Sequence, residues 1–151
     1  GTPKNLKTYD IIPLLFISLT IIAGTFVSGM DAGLVYNTFP YMGDGIIPIE
    51  YGTLGFIDPF ENPVSAQFHH RLLASLTLII IILYSINYIM KNPINLRIIL
   101  LLFAIICQFI IGVFTLLYSV PITLGVMHQF GGVLLFLSAI WLLHYPRNDT
   151  L

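Results

Sequence analysis

The sequence predicts an all-α integral membrane protein, a bundle of four transmembrane helices. Three observations predict it. Of the 151 residues, 57% are hydrophobic and 9% are charged, against about half and about a quarter in soluble domains. Mean hydropathy is +0.93. The few charges are gathered at the ends of long uncharged stretches. Together these exclude a soluble globule and a disordered tail. Six Lys and Arg against seven Asp and Glu give a net charge of -1, so no basic field exists for nucleic acid. One Cys makes neither an internal disulfide nor a thiolate metal site. The length suits one domain, residues 1–151. The chain starts at Gly1, not Met, as expected of a processed product or a piece of something longer.

The first element is predicted at about 11–30, because Ile11 to Met30 holds no Asp, Glu, Lys or Arg. It is too long for a signal-peptide core, and no small-residue cleavage site follows it. The second is predicted at 64–90, since Leu72 to Met90 is also free of charge. The stretch Ile98 to Pro146 is free of charge as well. About 20 apolar residues cross a bilayer, so this stretch must hold two helices, at 97–119 and 122–144. Pro121 is the expected turn, because proline breaks the helical bond pattern.

Orientation follows from Lys and Arg. Lys4, Lys7, Lys91, Arg97 and Arg147 fall on one side of this arrangement and Arg71 on the other. The positive-inside rule then puts both termini and the 91–96 loop in the cytoplasm, in a multi-pass protein of the cell (inner) membrane. Residues 31–63 become a long outer loop with four prolines, five glycines and the aromatics Tyr36, Phe39, Tyr41, Tyr51, Phe56 and Phe60. That is too aromatic for disorder. It is expected to pack at the membrane interface as a lid over the outer end, or to serve as an aromatic belt. The two readings are compatible.

The histidines carry the chemistry. His70 lies about six residues into the second span and His128 about six into the fourth. At 1.5 Å per residue both sit roughly 9 Å below the outer helix ends. Helices facing each other in a four-helix bundle supply ligands to a central cofactor, and neutral imidazole is a usual ligand for iron. The alternative is a span histidine satisfied by a neighbouring hydroxyl or carbonyl. His69 points about 100° away from His70, so the two cannot both face one iron well. His144, beside Tyr145 and Arg147, reads as a solvated interface residue. Arg71 can pair with a carboxylate such as a heme propionate, or snorkel to the interface. Gly112, Gly125 and Gly131-Gly132 allow close approach of a macrocycle or of another helix. Asp58 and Glu61 precede the second span; such loop carboxylates are more often hydrated than engaged in proton transfer. Cys107, near Gln108, reads as a small apolar residue. Zinc lacks enough ligands here.

These residues also carry a family resemblance. The block Gly24-Thr-Phe-Val-Ser-Gly-Met-Asp31-Ala-Gly-Leu-Val-Tyr36-Asn-Thr-Phe-Pro40-Tyr-Met-Gly43 resembles the heme A synthase family. So do Glu61-Asn-Pro63, Gln67-Phe-His-His70-Arg71-Leu-Leu-Ala and His128-Gln129. The resemblance covers nearly the whole chain, and it is to the second four-helix half of an eight-helix protein. It implies that the complete protein oxidises the C8 methyl of heme O to a formyl group, giving heme A for cytochrome oxidase. It implies a heme b held in this half by His70, preferred over His69, and His128, with Arg71 a candidate for the propionates. Heme O, the substrate, and the key glutamate belong to the first half. Here Gln67 stands where that half has its glutamate, which argues against catalysis by this chain alone; no catalytic residue is assigned.

The implied partners are membrane lipid, the N-terminal half, heme O synthase and further copies in a homo-oligomer, with no nucleic acid. Two other readings stay open. One is a free-standing four-helix b-type cytochrome. The other is a heme-free membrane assembly subunit. The residues do not point to transport, because no span carries the expected buried acids.

Overall fold

In the computed structural model, residues 8–144 are described. Their elements are α1 (Thr8–Gly29), a short α2 (Asp58–Glu61), α3 (Pro63–Lys91), α4 (Leu96–Leu117) and α5 (Ile122–Leu143). Among the described residues there is no strand, and α1, α3, α4 and α5 are each long and apolar enough to cross a membrane. The predicted spans are therefore found, with ends moved by a few residues. Lys4, Lys7 and Arg147, on which part of the orientation rests, lie outside the described residues.

The helices associate as two pairs, α1 with α3 and α4 with α5, joined by contacts of α1 with α5 and of α3 with α4. The outside of the bundle is apolar: Phe103 is 65% exposed and Leu83 60%. That surface suits lipid, where every helix satisfies its own backbone. Inside, Ile17, Ile81, Ile98, Leu101, Ile105 and Leu142 form a core in the half nearer the 92–95 connector. Asp10, in the first turn of α1, accepts a hydrogen bond from the Tyr84 hydroxyl there. The other half of the interior is more polar, with the buried Thr77, Gln67 and Thr115.

Local chemistry sets the helix ends. Asn62 and Asn95 cap α3 and α4 by accepting from Val64 N and from Arg97 and Ile98 N, each cap worth about 1 kcal/mol. The α4–α5 turn departs from expectation. α4 stops at Leu117, not 119, and backbone hydrogen bonds close its last turn ahead of Pro121. Val120 N–H reaches back to Thr115 O at 2.8 Å and Ser119 N–H to Leu116 O at 3.0 Å. This is the paired closure of a Schellman motif. It places Ser119 at φ +58° and Val120 at φ +55°. Pro121 follows, already extended, as the N-cap of α5.

Residues 30–62 fold over the bundle end opposite the 92–95 connector. Two 3₁₀ turns, Ala32–Leu34 and Gly55–Ile57, and α2 give this loop local structure. Its aromatics pack on three helices: Phe60 on Phe26, Tyr51 on Phe68 and Phe39 on Phe109, with ring centres 5.4, 5.0 and 6.0 Å apart. Asn37 adds donations to Gly33 O and Leu116 O. The loop thus covers the bundle end as a lid.

Candidate functional site

Beneath the lid, α3 and α5 bring two imidazoles together. The ring centres of His70 and His128 are 6.3 Å apart and their planes cross at 84°. Two imidazoles on opposite sides of one metal ion, each with a bond of about 2.0–2.1 Å, hold their centres roughly 6 Å apart. The pair therefore has the spacing of a bis-imidazole centre. Among the described residues no three His, Cys, Asp or Glu side chains converge, so the chain's contribution there is this pair.

Each ring lies in a cradle built the same way on the neighbouring helix. On α1, the Thr20 carbonyl meets His70 Nδ1 at 3.2 Å, and Gly24, four residues on, lies under the ring. On α4, Gln108 meets His128 Nδ1 at 3.1 Å, and Gly112, four residues on, lies under that ring. Residues four apart share a helix face, so one partner and one glycine grip each imidazole. A Cβ at Gly24 would stand 3.1 Å from His70 Cε1, and one at Gly112 would stand 2.7 Å from His128 Cε1. Thr20 is itself tied to Thr77 of α3, hydroxyl to hydroxyl at 2.7 Å.

Arg71 binds the lid. Its guanidinium donates to the carbonyls of Tyr36 at 2.7 Å, Thr38 at 2.9 Å and Tyr41 at 3.4 Å. Its Nε is buried with no partner, as is Oε1 of Gln67, whose Nε2 also donates to Tyr36 O. Three of the five guanidinium N–H groups hold the loop, and the Nε–H stays free for an anion.

The other candidates separate from the pair. His69 meets the Tyr51 hydroxyl at 3.3 Å through Nε2 and serves the lid. His144 is exposed at the far end, with Nδ1 at 3.0 Å from Ile140 O. Cys107 is half-buried and lines a groove of about 480 Å³ between α4 and α5. Gly131 makes room for Gln108, since a Cβ there would fall on Gln108 Oε1.

Asp58 corrects an expectation. It is not a hydrated loop carboxylate but a buried hub. It accepts from Gly52 N, Leu54 N and Asn62 Nδ2 at 2.8–2.9 Å and from the Ser65 hydroxyl. The reason is local: the 50–57 turn wraps over it and supplies backbone N–H groups. Burial opposes the charge of Asp58, but the bonds from Ser65, Asn62, Leu54 and Gly52 outweigh it and hold the carboxyl below its usual range. Glu61 is exposed. Tyr36 donates to Glu50, which holds the phenol above its ordinary value.

Residues 2–140 match the family described as Cytochrome oxidase assembly protein (COX15-CtaA). The chain is 38% identical over 97% of its length to a protein named Heme A synthase from Wolbachia pipientis subsp. Culex pipiens, covering 44% of that relative. It is 42% identical over 92% of its length to the Heme A synthase of a Wolbachia from Brugia malayi, covering 41% of it. It is 38% identical over 87% of its length to mouse Heme A synthase COX15, covering 33%. The chain thus spans less than half the length of these curated relatives. No solved structure matches it.

Proposed function

The chain belongs to the COX15-CtaA family of cytochrome oxidase assembly proteins, and from that premise we propose that it is the heme b-binding half of a heme A synthase. The observation that carries the reading is the His70–His128 pair, with ring centres 6.3 Å apart between α3 and α5. The residues present fit an iron porphyrin on two counts. The spacing suits two imidazole ligands, and Arg71 keeps a buried, unpartnered Nε that can meet a carboxylate. His70 and His128 would hold the iron through Nε2, and Arg71 would meet a propionate. When bound, a bis-imidazole heme supplies reversible one-electron transfer.

The chain's own residues do the positioning. Thr20 and Gln108 brace the imidazoles through Nδ1, as hydrogen-bond partners of metal-bound histidine do. Gly24 and Gly112 remove the side chains that would crowd them. The lid, pinned by Arg71 and Asp58, keeps water off the bundle end, which tunes potential through burial.

Oxidation of the heme O methyl group to a formyl group belongs, on this proposal, to the complete enzyme. This half would stabilise it and relay electrons. It would lie in the membrane with the 92–95 connector on the cytoplasmic side and the lid on the outer side. The test is conversion of heme O to heme A, followed by chromatography of extracted hemes. This chain alone is expected to produce none, and activity is expected when the N-terminal half of a relative is co-expressed. Heme A made by this chain alone would overturn the division of labour.

The second reading, a free-standing b-type cytochrome, shares the histidine pair. It predicts a low-spin heme and no dependence on a second half.

A further inference from the structure

The two histidines are braced alike in space but oppositely in chemistry. A neutral imidazole has one N–H and one lone pair, and a metal takes the lone pair. His70 Nδ1 faces the carbonyl oxygen of Thr20 at 3.2 Å. A carbonyl only accepts, so the proton sits on Nδ1 and Nε2 carries the lone pair. His128 Nδ1 faces the amide nitrogen of Gln108 at 3.1 Å. An amide NH₂ only donates, so Nδ1 accepts and the proton sits on Nε2. The same amide nitrogen donates its other N–H to the His128 carbonyl at 2.8 Å. Gln108 Oε1 is left buried without a partner.

We infer that Gln108 is a positioning residue that sets the ring tautomer of His128: His70 rests ready to ligate, while His128 is latched until the Gln108 carboxamide turns. The inference rests on the reading that this pair holds a heme. Turning the carboxamide exchanges nitrogen for oxygen against Nδ1. The imidazole proton leaves Nε2 and returns on Nδ1, with no net gain or loss, and Nε2 is freed. The turn gives up the donation to the His128 carbonyl, which lies inside α5 and keeps its intrahelical partner. It also gives the orphaned Oε1 a donor. The carboxamide NH₂ then stands where Oε1 stood without a partner, and Oε1 stands beside the His128 carbonyl oxygen, so the turn has a cost that bond formation at Nε2 must offset. Gly131, lacking a Cβ, leaves space for the exchange. In the loaded state Nδ1–H to Oε1 raises the basicity of the ligand, the usual effect of such a partner.

The test uses the full chain in detergent, with histidine ring nitrogens resolved by NMR before heme is added. Nδ1-protonated His70 and Nε2-protonated His128 are expected. Gln108→Leu should release the His128 preference. Gln108→Glu should not keep it, because a carboxyl has at most one O–H for the two acceptors, Nδ1 and the His128 carbonyl, that the amide nitrogen serves. After loading, Gln108→Leu should raise the midpoint potential and speed heme loss about 10- to 100-fold, and Gln108→Glu should restore both. Gln108→Met is read the same way if the leucine variant does not fold. The inference is overturned if the heme-free chain shows the same tautomer at both histidines. It is also overturned if wild type binds a low-spin heme and Gln108→Leu leaves potential and retention unchanged. A folded wild-type chain that binds no heme contradicts the proposed function instead, and the heme-free spectra still decide the tautomers.

Discussion

Gly112 lies so close to His128 that a Cβ at this position would stand 2.7 Å from the imidazole Cε1. Real Cβ contacts do not reach that distance, so a side chain here must move the ring. Gly24 stands in the same relation to His70, but a Cβ there would lie 3.1 Å from Cε1. Gly112→Ala is therefore expected to displace His128 and strongly weaken heme binding while the bundle still folds. Gly24→Ala should do less, because a few tenths of an ångström of give suffice. Heme content per folded chain, read from absorbance against circular dichroism, checks the order. Equal losses, or a larger loss at Gly24, would contradict it.

Arg71 makes three donations to carbonyls of the lid. Hydrogen bonds from charged groups contribute about 1.5–3 kcal/mol each when well formed. A lysine offers one compact ammonium in place of a planar fork and cannot serve the Tyr36 and Thr38 carbonyls in the same geometry. Arg71→Lys is expected to loosen residues 36–41 and to cost about 1–3 kcal/mol. Limited proteolysis should then cut the lid while the helices stay protected. An unchanged cleavage pattern would refute the clamp.

Asp58 sets the acid response of the lid. Its folded carboxyl titrates below its unfolded value of about 3.9. A depressed folded value stabilises above the unfolded one, and the contribution is lost as pH falls through the folded value. The anchorage is thus expected to be flat from about pH 5 upward and to fail only in stronger acid. Amide exchange of Gly52 and Leu54, which donate to this carboxylate, reports it directly after correction for intrinsic rates. Loosening that begins near neutral pH would show that another group holds the loop.

Ser119 occupies the C′ position of the α4 Schellman motif at φ +58°. A left-handed conformation costs an L-residue about 1–2 kcal/mol, and glycine escapes that cost. Ser119→Gly is expected to raise the Tm of the detergent-solubilised chain. A lowered Tm would mean that the hydroxyl contributes more than the backbone strain removes.

The spans and the histidine pair were legible in the sequence for a physical reason. In a membrane chain, charge marks the ends of helices, so Lys91, Arg97 and the gaps between charges locate the elements. Depth then follows from residue counting, and His70 and His128 come out level. What was not legible was the facing of each helix. A span apolar on all sides has little amphipathic signal, so nothing said which side of α1 or α4 meets an imidazole. A signal did exist in the matched spacing of Thr20 with Gly24 and Gln108 with Gly112. It becomes readable only once the pairing of helices is known. The burial of Asp58 depends on backbone N–H groups of residues 52 and 54, which side-chain identity does not reveal. Pro121 marks the turn in the sequence, but the bonds from Ser119 and Val120 N–H to carbonyls of α4 that close it leave no such mark.

On the proposed function, His70 and His128 together hold a low-spin heme. The most direct test is the reduced-minus-oxidised visible spectrum of the purified chain, with pyridine hemochrome identification, in wild type and in His70→Ala, His128→Ala and His144→Ala. A b-type low-spin spectrum is expected in wild type and His144→Ala, and is expected to be lost in each of the other two. A normal spectrum in either His70→Ala or His128→Ala, or a folded wild-type chain with no heme, would contradict the proposed function.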